Sequence, residues 1–267
     1  MWRTLPPKRA MTTTPCLATV DTLTTEHIMP QKRHKNLSNN ESTRLDELIE
    51  SLKFDLSPDA SSELLDVADA AEAIHMTAMS KGWWPEGKRD FAEATFLIIT
   101  ELAEGMEEHR NNHPDGEIRF EDEDHIQVRK PLGFAIEMAD AVIRLLDTAK
   151  GFKIPVNLSV PKLDLDDNAI RSIETKDDMD TLGAEMMLCT NQLVEAFGAY
   201  LLGNSPNARQ DPNIRSRAAG RVSNGYAHAL IHIANMCKSR GFSLAKAVRI
   251  KAAYNLKRPY RHGGKSA

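Results

Sequence analysis

Apolar side chains recur along this chain at helical spacing and almost nowhere at the alternation a strand needs. Over roughly 89–110 the stripe is Phe91, Thr95, Ile98, Ile99, Leu102 and Met106, spaced i, i+4, i+7, i+8, i+11, i+15. Over roughly 132–150 it is Phe134, Met138, Ala141, Val142, Leu145 and Ala149, and Gly151 stops the run. The same spacing predicts helices over about 57–79, 178–203, 215–240 and 244–257, and a helix start at Ser42 leading into Leu45, Leu48, Ile49 and Leu52. Between them lie a break over 81–85, a polar and strongly acidic loop over 111–129, a Pro- and Asp-rich connection over 152–177, and a loop over 204–213. A one-sided helical stripe must be buried against another, so the expected fold is all-α, an antiparallel helical bundle.

With 267 residues the chain has room for one large domain or two small ones. Residues 1–41, rich in Thr, Pro, Lys and Asn and without periodicity, read as a disordered N-terminal extension with no apolar segment of the secretory type. Residues 42–152 form a first helical unit, 153–177 a linker, and 178–267 a second helical unit with a basic C-terminal segment. Gly151-Phe152 ends one helical hairpin and Gly241-Phe242 ends another, ninety residues later, a faint sign of tandem duplication. No run approaches the ~18 to 20 apolar residues of a membrane span, so no membrane partner is expected. The three cysteines, Cys16, Cys189 and Cys237, lie far apart and offer neither a disulfide framework nor a structural zinc site. The expected location is cytoplasmic.

Charge is distributed unevenly. All 38 acidic residues lie at or before Asp211, and 212–267 carries twelve Lys and Arg with no acid. Such asymmetry suggests two jobs, cations held in the acidic part and phosphates or nucleic acid in the basic part. Glu101-Leu-Ala-Glu104 is an i, i+3 pair on the 89–110 helix, and Glu137-Met-Ala-Asp140 is another on the 132–150 helix. Each pair sits on one face, beside its helix's apolar stripe rather than opposite it. If the two stripes pack antiparallel, four carboxylates converge, and their repulsion calls for a cation. Oxygen-only ligands favour Mg²⁺ or Mn²⁺. Acidic pairs at this spacing are equally at home on solvated faces, and the adjoining Glu107 and Glu108 look like ordinary surface. Neither pair contains a His at i+3, which argues against a di-iron site.

Lys251, Asn255 and Arg258 stand at i, i+4, i+7 and make one cationic, polar helix face, suited to an anionic phosphate chain or to a solvated tail. The following Gly263-Gly264 is no phosphate-binding loop by itself, since GxxxxGK[ST] is absent.

Three blocks together resemble the MazG-like nucleoside triphosphate pyrophosphohydrolases, part of the all-α NTP pyrophosphatase superfamily. They are Lys81-Gly-Trp-Trp84 with Leu97 to Arg110 around Glu101-x-x-Glu104; Lys130 to Asp147 around Glu137-x-x-Asp140; and Gly241-Phe-Ser-Leu244 with Ala247 to Lys265. The resemblance implies Glu101, Glu104, Glu137 and Asp140 as Mg²⁺ ligands (Mn²⁺ as an alternative), with Lys251, Asn255 and Arg258 holding the triphosphate. It implies the reaction NTP or dNTP plus water to NMP plus pyrophosphate, serving nucleotide-pool cleaning, with one unidentified carboxylate orienting the water. A homodimer is the expected assembly, or an intrachain pseudo-dimer in its place. The pattern departs from the compact family arrangement, because the third block follows the second Gly-Phe rather than the first. A duplication whose second copy lost its acids accounts for this: Ala227 and Leu230 stand where Glu137 and Asp140 do, and Asn191 or Gln192 where Glu101 does.

Several residues keep two readings. Trp83 and Trp84, and likewise Tyr254 and Tyr260, either stack a nucleobase or close the core. His228 and His232, an i, i+4 pair, either bind metal or serve packing and surface, with no third ligand in view. Two rivals stand beside the hydrolase: a degenerate, non-catalytic module that binds nucleotide or nucleic acid through its basic C-terminal region, and a structural helical bundle with solvated acidic faces. The four-acid set makes nucleic acid the weaker partner.

Overall fold

The computed structural model describes residues 67–85, 89–122, 129–156 and 181–264, with Asn40 and Thr43 as isolated helical positions. The extension expected over 1–41, the helix start at Ser42 and most of the expected 153–177 linker fall outside the described residues, as does the first half of the helix expected over 57–79. The fold is all-α. Its elements in order are α1 (Val67–Ser80), α2 (Phe91–Arg110), β1 (Arg119–Glu121), β2 (Lys130–Leu132), α3 (Phe134–Gly151), α4 (Leu182–Gly203), α5 (Pro206–Gln210), α6 (Pro212–Ser239), α7 (Leu244–Lys257) and α8 (Arg261–Gly264). Among the described residues, no helix is long and apolar enough to cross a membrane.

Most helix starts are written in the chain. Asp90, Thr181, Ser205, Asp211 and Ser243 each accept, through a side-chain oxygen, a backbone N–H in the first turn that follows. Pro206 and Pro212 occupy early positions whose missing N–H costs nothing. Two stretches expected as loops hold regular structure. The 204–213 loop contains the single-turn-scale α5. The 111–129 loop contains β1, which pairs antiparallel with β2 and sets Phe120 opposite Pro131. Three-residue strands are too short to leave an alternation in sequence, and Pro131 is tolerated because a two-stranded ribbon has only edge strands.

Packing partners give the directions. Phe91 at the start of α2 meets Phe152 just past α3, at 4.9 Å, whereas Gly105 near the end of α2 faces Met138 and Glu137 at the start of α3. These two helices therefore run antiparallel. Helix α1 is antiparallel to α3, with His75 against Asp147 and an ion pair between Glu72 and Lys150. Helix α4 is antiparallel to α6, with Gly203 against Ala218 and the Cys189 thiol reaching the Ala229 carbonyl. Helix α7 runs parallel to α3: Phe242 packs on Phe134 at their starts, and Lys251 meets Asp140 further along. One apolar core includes residues from α1, α2, α3, α4, α6 and α7, with Phe91, Ile98, Met138, Leu145, Leu193 and Ile233 among its nearly inaccessible members.

Candidate functional site

Antiparallel packing of α2 on α3 turns Glu101 toward Glu137 and Asp140. One carboxylate oxygen from each of these three lies within 4.8 Å of the others, a set that can hold a metal ion. Glu101 and Glu137 are buried and Asp140 half-buried. Glu104, expected as a fourth ligand, lies one turn beyond Glu101 on an exposed part of α2 and is not in this trio. It remains close enough for its charge to act on both Glu101 and Glu137.

Two cations reach into the cluster. Arg144 Nε donates to Glu101 Oε1 at 2.5 Å, and Lys251 Nζ pairs with Asp140 Oδ2 at 2.7 Å. Burial pushes the Glu101 carboxyl up to about 7, with Asp140 and Glu104 adding to the rise and Arg144 opposing it. Burial likewise lifts Glu137 to about 7, opposed by Lys251 and reinforced by Asp140, Glu101 and Glu104. Burial works against the charge on Lys251, but Asp140 and Glu137 more than offset it, and its pKa is raised. With all four acids ionised against two cations, the site keeps two negative charges. That residue of charge, and a donor set made only of carboxylate oxygens, fit one hard divalent cation.

The cluster borders a cavity of about 490 Å³ between α1, α2, α3 and α7, whose wall includes Asp140, Arg144, Asn255 and Arg258. The sequence-predicted phosphate residues thus divide. Lys251 is 4% exposed and spends its charge on Asp140, whereas Asn255 and Arg258 line the cavity itself. Asn255 Oδ1 is buried there without a hydrogen-bond partner among the described residues. Lys81, also on the wall, donates to the Arg258 carbonyl at 2.7 Å, while the Arg261 backbone N–H donates to the Lys81 carbonyl. The segment after α7 is thereby tied to the turn after α1. Tyr260 covers Gly82, where an added Cβ would fall 2.2 Å from the tyrosine ring.

The other aromatic candidates separate as well. Trp84 is buried, and its Nε1 donates to Asp147 at 2.9 Å, so it closes the core. Trp83 lines the cavity edge-on to His262, with ring centroids 4.8 Å apart. Tyr254 is buried beneath the cations of Lys251 and Arg258, and Tyr260 is exposed. His228 contacts Gln192 on α4 at 3.3 Å, and burial together with His228 lowers the pKa of His232. Neither belongs to a group of three metal-ligating side chains among the described residues.

Sequence reasoning did not single out Arg144, Asp147 or Arg89. Arg144 and Asp147 had a readable signal, since they follow Asp140 by one and two helical turns on the same face. Arg89 had none, because it precedes α2 and its place depends on Asp147, far along the chain. Compared with protein-family models, with curated proteins and with solved structures, the chain matches none.

Proposed function

We propose that the chain is a Mg²⁺-dependent nucleoside triphosphate pyrophosphohydrolase, converting NTP or dNTP and water to NMP and pyrophosphate. The observation that carries this reading is the Glu101, Glu137 and Asp140 trio, two of them buried, with Asp140 on the wall of a cavity that also presents Arg144, Asn255 and Arg258. A pure binder of anions gains nothing from clustering acids beside its cations, whereas a site that must hold both a divalent cation and a polyphosphate needs both. Glu101, Glu137 and Asp140 would hold the ion, with Glu104 adding charge from the next turn. Bound Mg²⁺ supplies charge neutralisation of the phosphates and a lowered pKa for its water.

The chain's own groups do the rest. One of the carboxylates of the metal site would orient or deprotonate the water that attacks the α-phosphorus. Arg258 and Lys81 face the triphosphate and stabilise charge growing on the departing pyrophosphate. Lys251 holds Asp140 in position. The test is turnover of each common NTP and dNTP with Mg²⁺, scoring pyrophosphate and orthophosphate separately. Pyrophosphate with matching NMP is the expected result. Orthophosphate alone overturns it. Salt-sensitive nucleic-acid or nucleotide binding without any product selects the non-catalytic module instead.

A further inference from the structure

At the end of the cavity away from the acids, a second polar group is assembled around Asp147. This carboxylate is buried and accepts from Trp84 Nε1 at 2.9 and 3.1 Å. His75 Nδ1 lies 2.7 Å away, and beside a carboxylate that nitrogen must carry the proton. Arg89 Nη1 lies at 3.4 Å, a long and weak contact. With these partners Asp147 has little capacity left to accept from a ligand. Arg89 is the reverse case. Its side chain is 8% exposed, its Nε is buried with no hydrogen-bond partner among the described residues, and it borders the cavity. Burial pulls its pKa down while Asp147 opposes the fall. Glu93 adds attraction from the first turn of α2 without a hydrogen bond among the described contacts. A buried guanidinium with spare N–H groups calls for acceptors from whatever fills the cavity.

Seven residues of helix separate Asp140 from Asp147, a rise of about 10 Å. That span matches a nucleotide laid with its α-phosphorus at the acids and its base at Arg89, beside the apolar wall of Ile74. Resting on the hydrolase reading above, we propose that Arg89 is a specificity-determining residue that donates to the oxo edge of the base. The substrate class is then triphosphates of 6-oxopurines and 4-oxopyrimidines, the guanine, uracil and thymine types. Adenine and cytosine place an amino donor at that edge, donor against donor in a dry site, while an arginine fork matches O6 and N7 of guanine.

The experiment compares kcat/KM for GTP, UTP, ATP and CTP with Mg²⁺ in the full chain and in two variants, Arg89→Gln and Arg89→Lys. Wild type is expected to favour GTP and UTP by roughly tenfold to a hundredfold. Arg89→Gln, whose amide both donates and accepts, shifts the GTP-to-ATP ratio toward ATP. Arg89→Lys keeps the oxo preference at lower kcat/KM, and serves alone if the glutamine variant fails to fold. A wild type indifferent to the base, or a ratio unmoved in Arg89→Gln, overturns the proposal while leaving the hydrolase standing. If no triphosphate is turned over, the hydrolase reading fails separately, and calorimetric binding of GMP against AMP decides for Arg89. A GMP preference lost in Arg89→Gln upholds it, and equal binding overturns it.

Discussion

The α2–α3 pair and the α4–α6 pair are both antiparallel helix pairs in one core, yet they are packed on opposite terms. Between α4 and α6 small residues let the helices approach closely at Gly225 with Ala196 and at Gly203 with Ala218. An added Cβ at Gly225 would sit 2.7 Å from the Gln192 carbonyl oxygen and 2.8 Å from the Ala196 Cβ, so the two backbones are pressed together. Buried polar contacts on α6 are the Cys189 thiol with the Ala229 carbonyl and, from α2, the Thr95 hydroxyl with Tyr226 at 2.9 Å, and all of these groups are neutral. Between α2 and α3, by contrast, Glu101 and Glu137 are buried, Arg144 pairs with Glu101, and Lys251 comes in from a third helix to Asp140. Buried charge of one excess sign costs folding free energy. The difference teaches where this chain places stability and where it places chemistry: close apolar contact on one side supports an electrostatically costly arrangement on the other.

The sharpest way to break the comparison is to remove an acid. Asp140→Ala or Glu137→Ala is expected to lower pyrophosphate release on the order of a hundredfold or more, the scale of losing one preorganised electrostatic group, with the circular dichroism spectrum unchanged. Full activity in either variant would show that the α2–α3 pair does no chemistry. Next in size, Gly225→Val should destabilise the chain by about 3 kcal/mol through overpacking against α4, read as a fall in denaturation midpoint, while kcat of the folded fraction stays as it was.

A third prediction uses pH. Glu101 and Glu137 titrate near 7 when folded, against an ordinary value of 4.5. Between those values the folded chain holds protons that the unfolded chain has released, so metal-free stability is full below about 4.5 and is lost as pH rises through 7. Glu137→Gln should flatten that slope and leave the metal-free protein more stable at pH 8 by on the order of 2 kcal/mol, measured by urea titration across pH. An unchanged slope would mean the acids are not desolvated. The smallest effect is expected on the outer face of α4, where Met187 is 68% exposed: Met187→Ser should shift stability by less than about 0.5 kcal/mol.

Much of this was legible in the sequence because it is local. The apolar stripe of α3 is buried at every expected position, Phe134 through Ala149, and α7 begins and ends at the residues its pattern indicates. On α2 the pattern erred by one step: Glu101 belongs to the buried face, and Met106 lies only partly within it. The i, i+3 acids were visible for the same local reason. Contacts closed across the chain were not. Nothing near Asp140 announces Lys251, and nothing near Trp84 announces that Asp147 will hold its indole N–H. Glu104 and Glu101 carry the same spacing signal, and only the rotation of α2 against α3 sends one inward and the other to solvent.

The pairing of Lys251 with Asp140 also imposes an order on synthesis. Glu101, Glu137 and Asp140 leave the ribosome long before Lys251 does, and at ordinary elongation rates the interval is on the order of ten seconds. Arg144, one turn beyond Asp140 on the same helix, is the cation already present in that interval. Glu101 therefore has its cation partner in the chain before Asp140 has one, and a nascent chain stalled before α7 has its carboxylates but not its finished site.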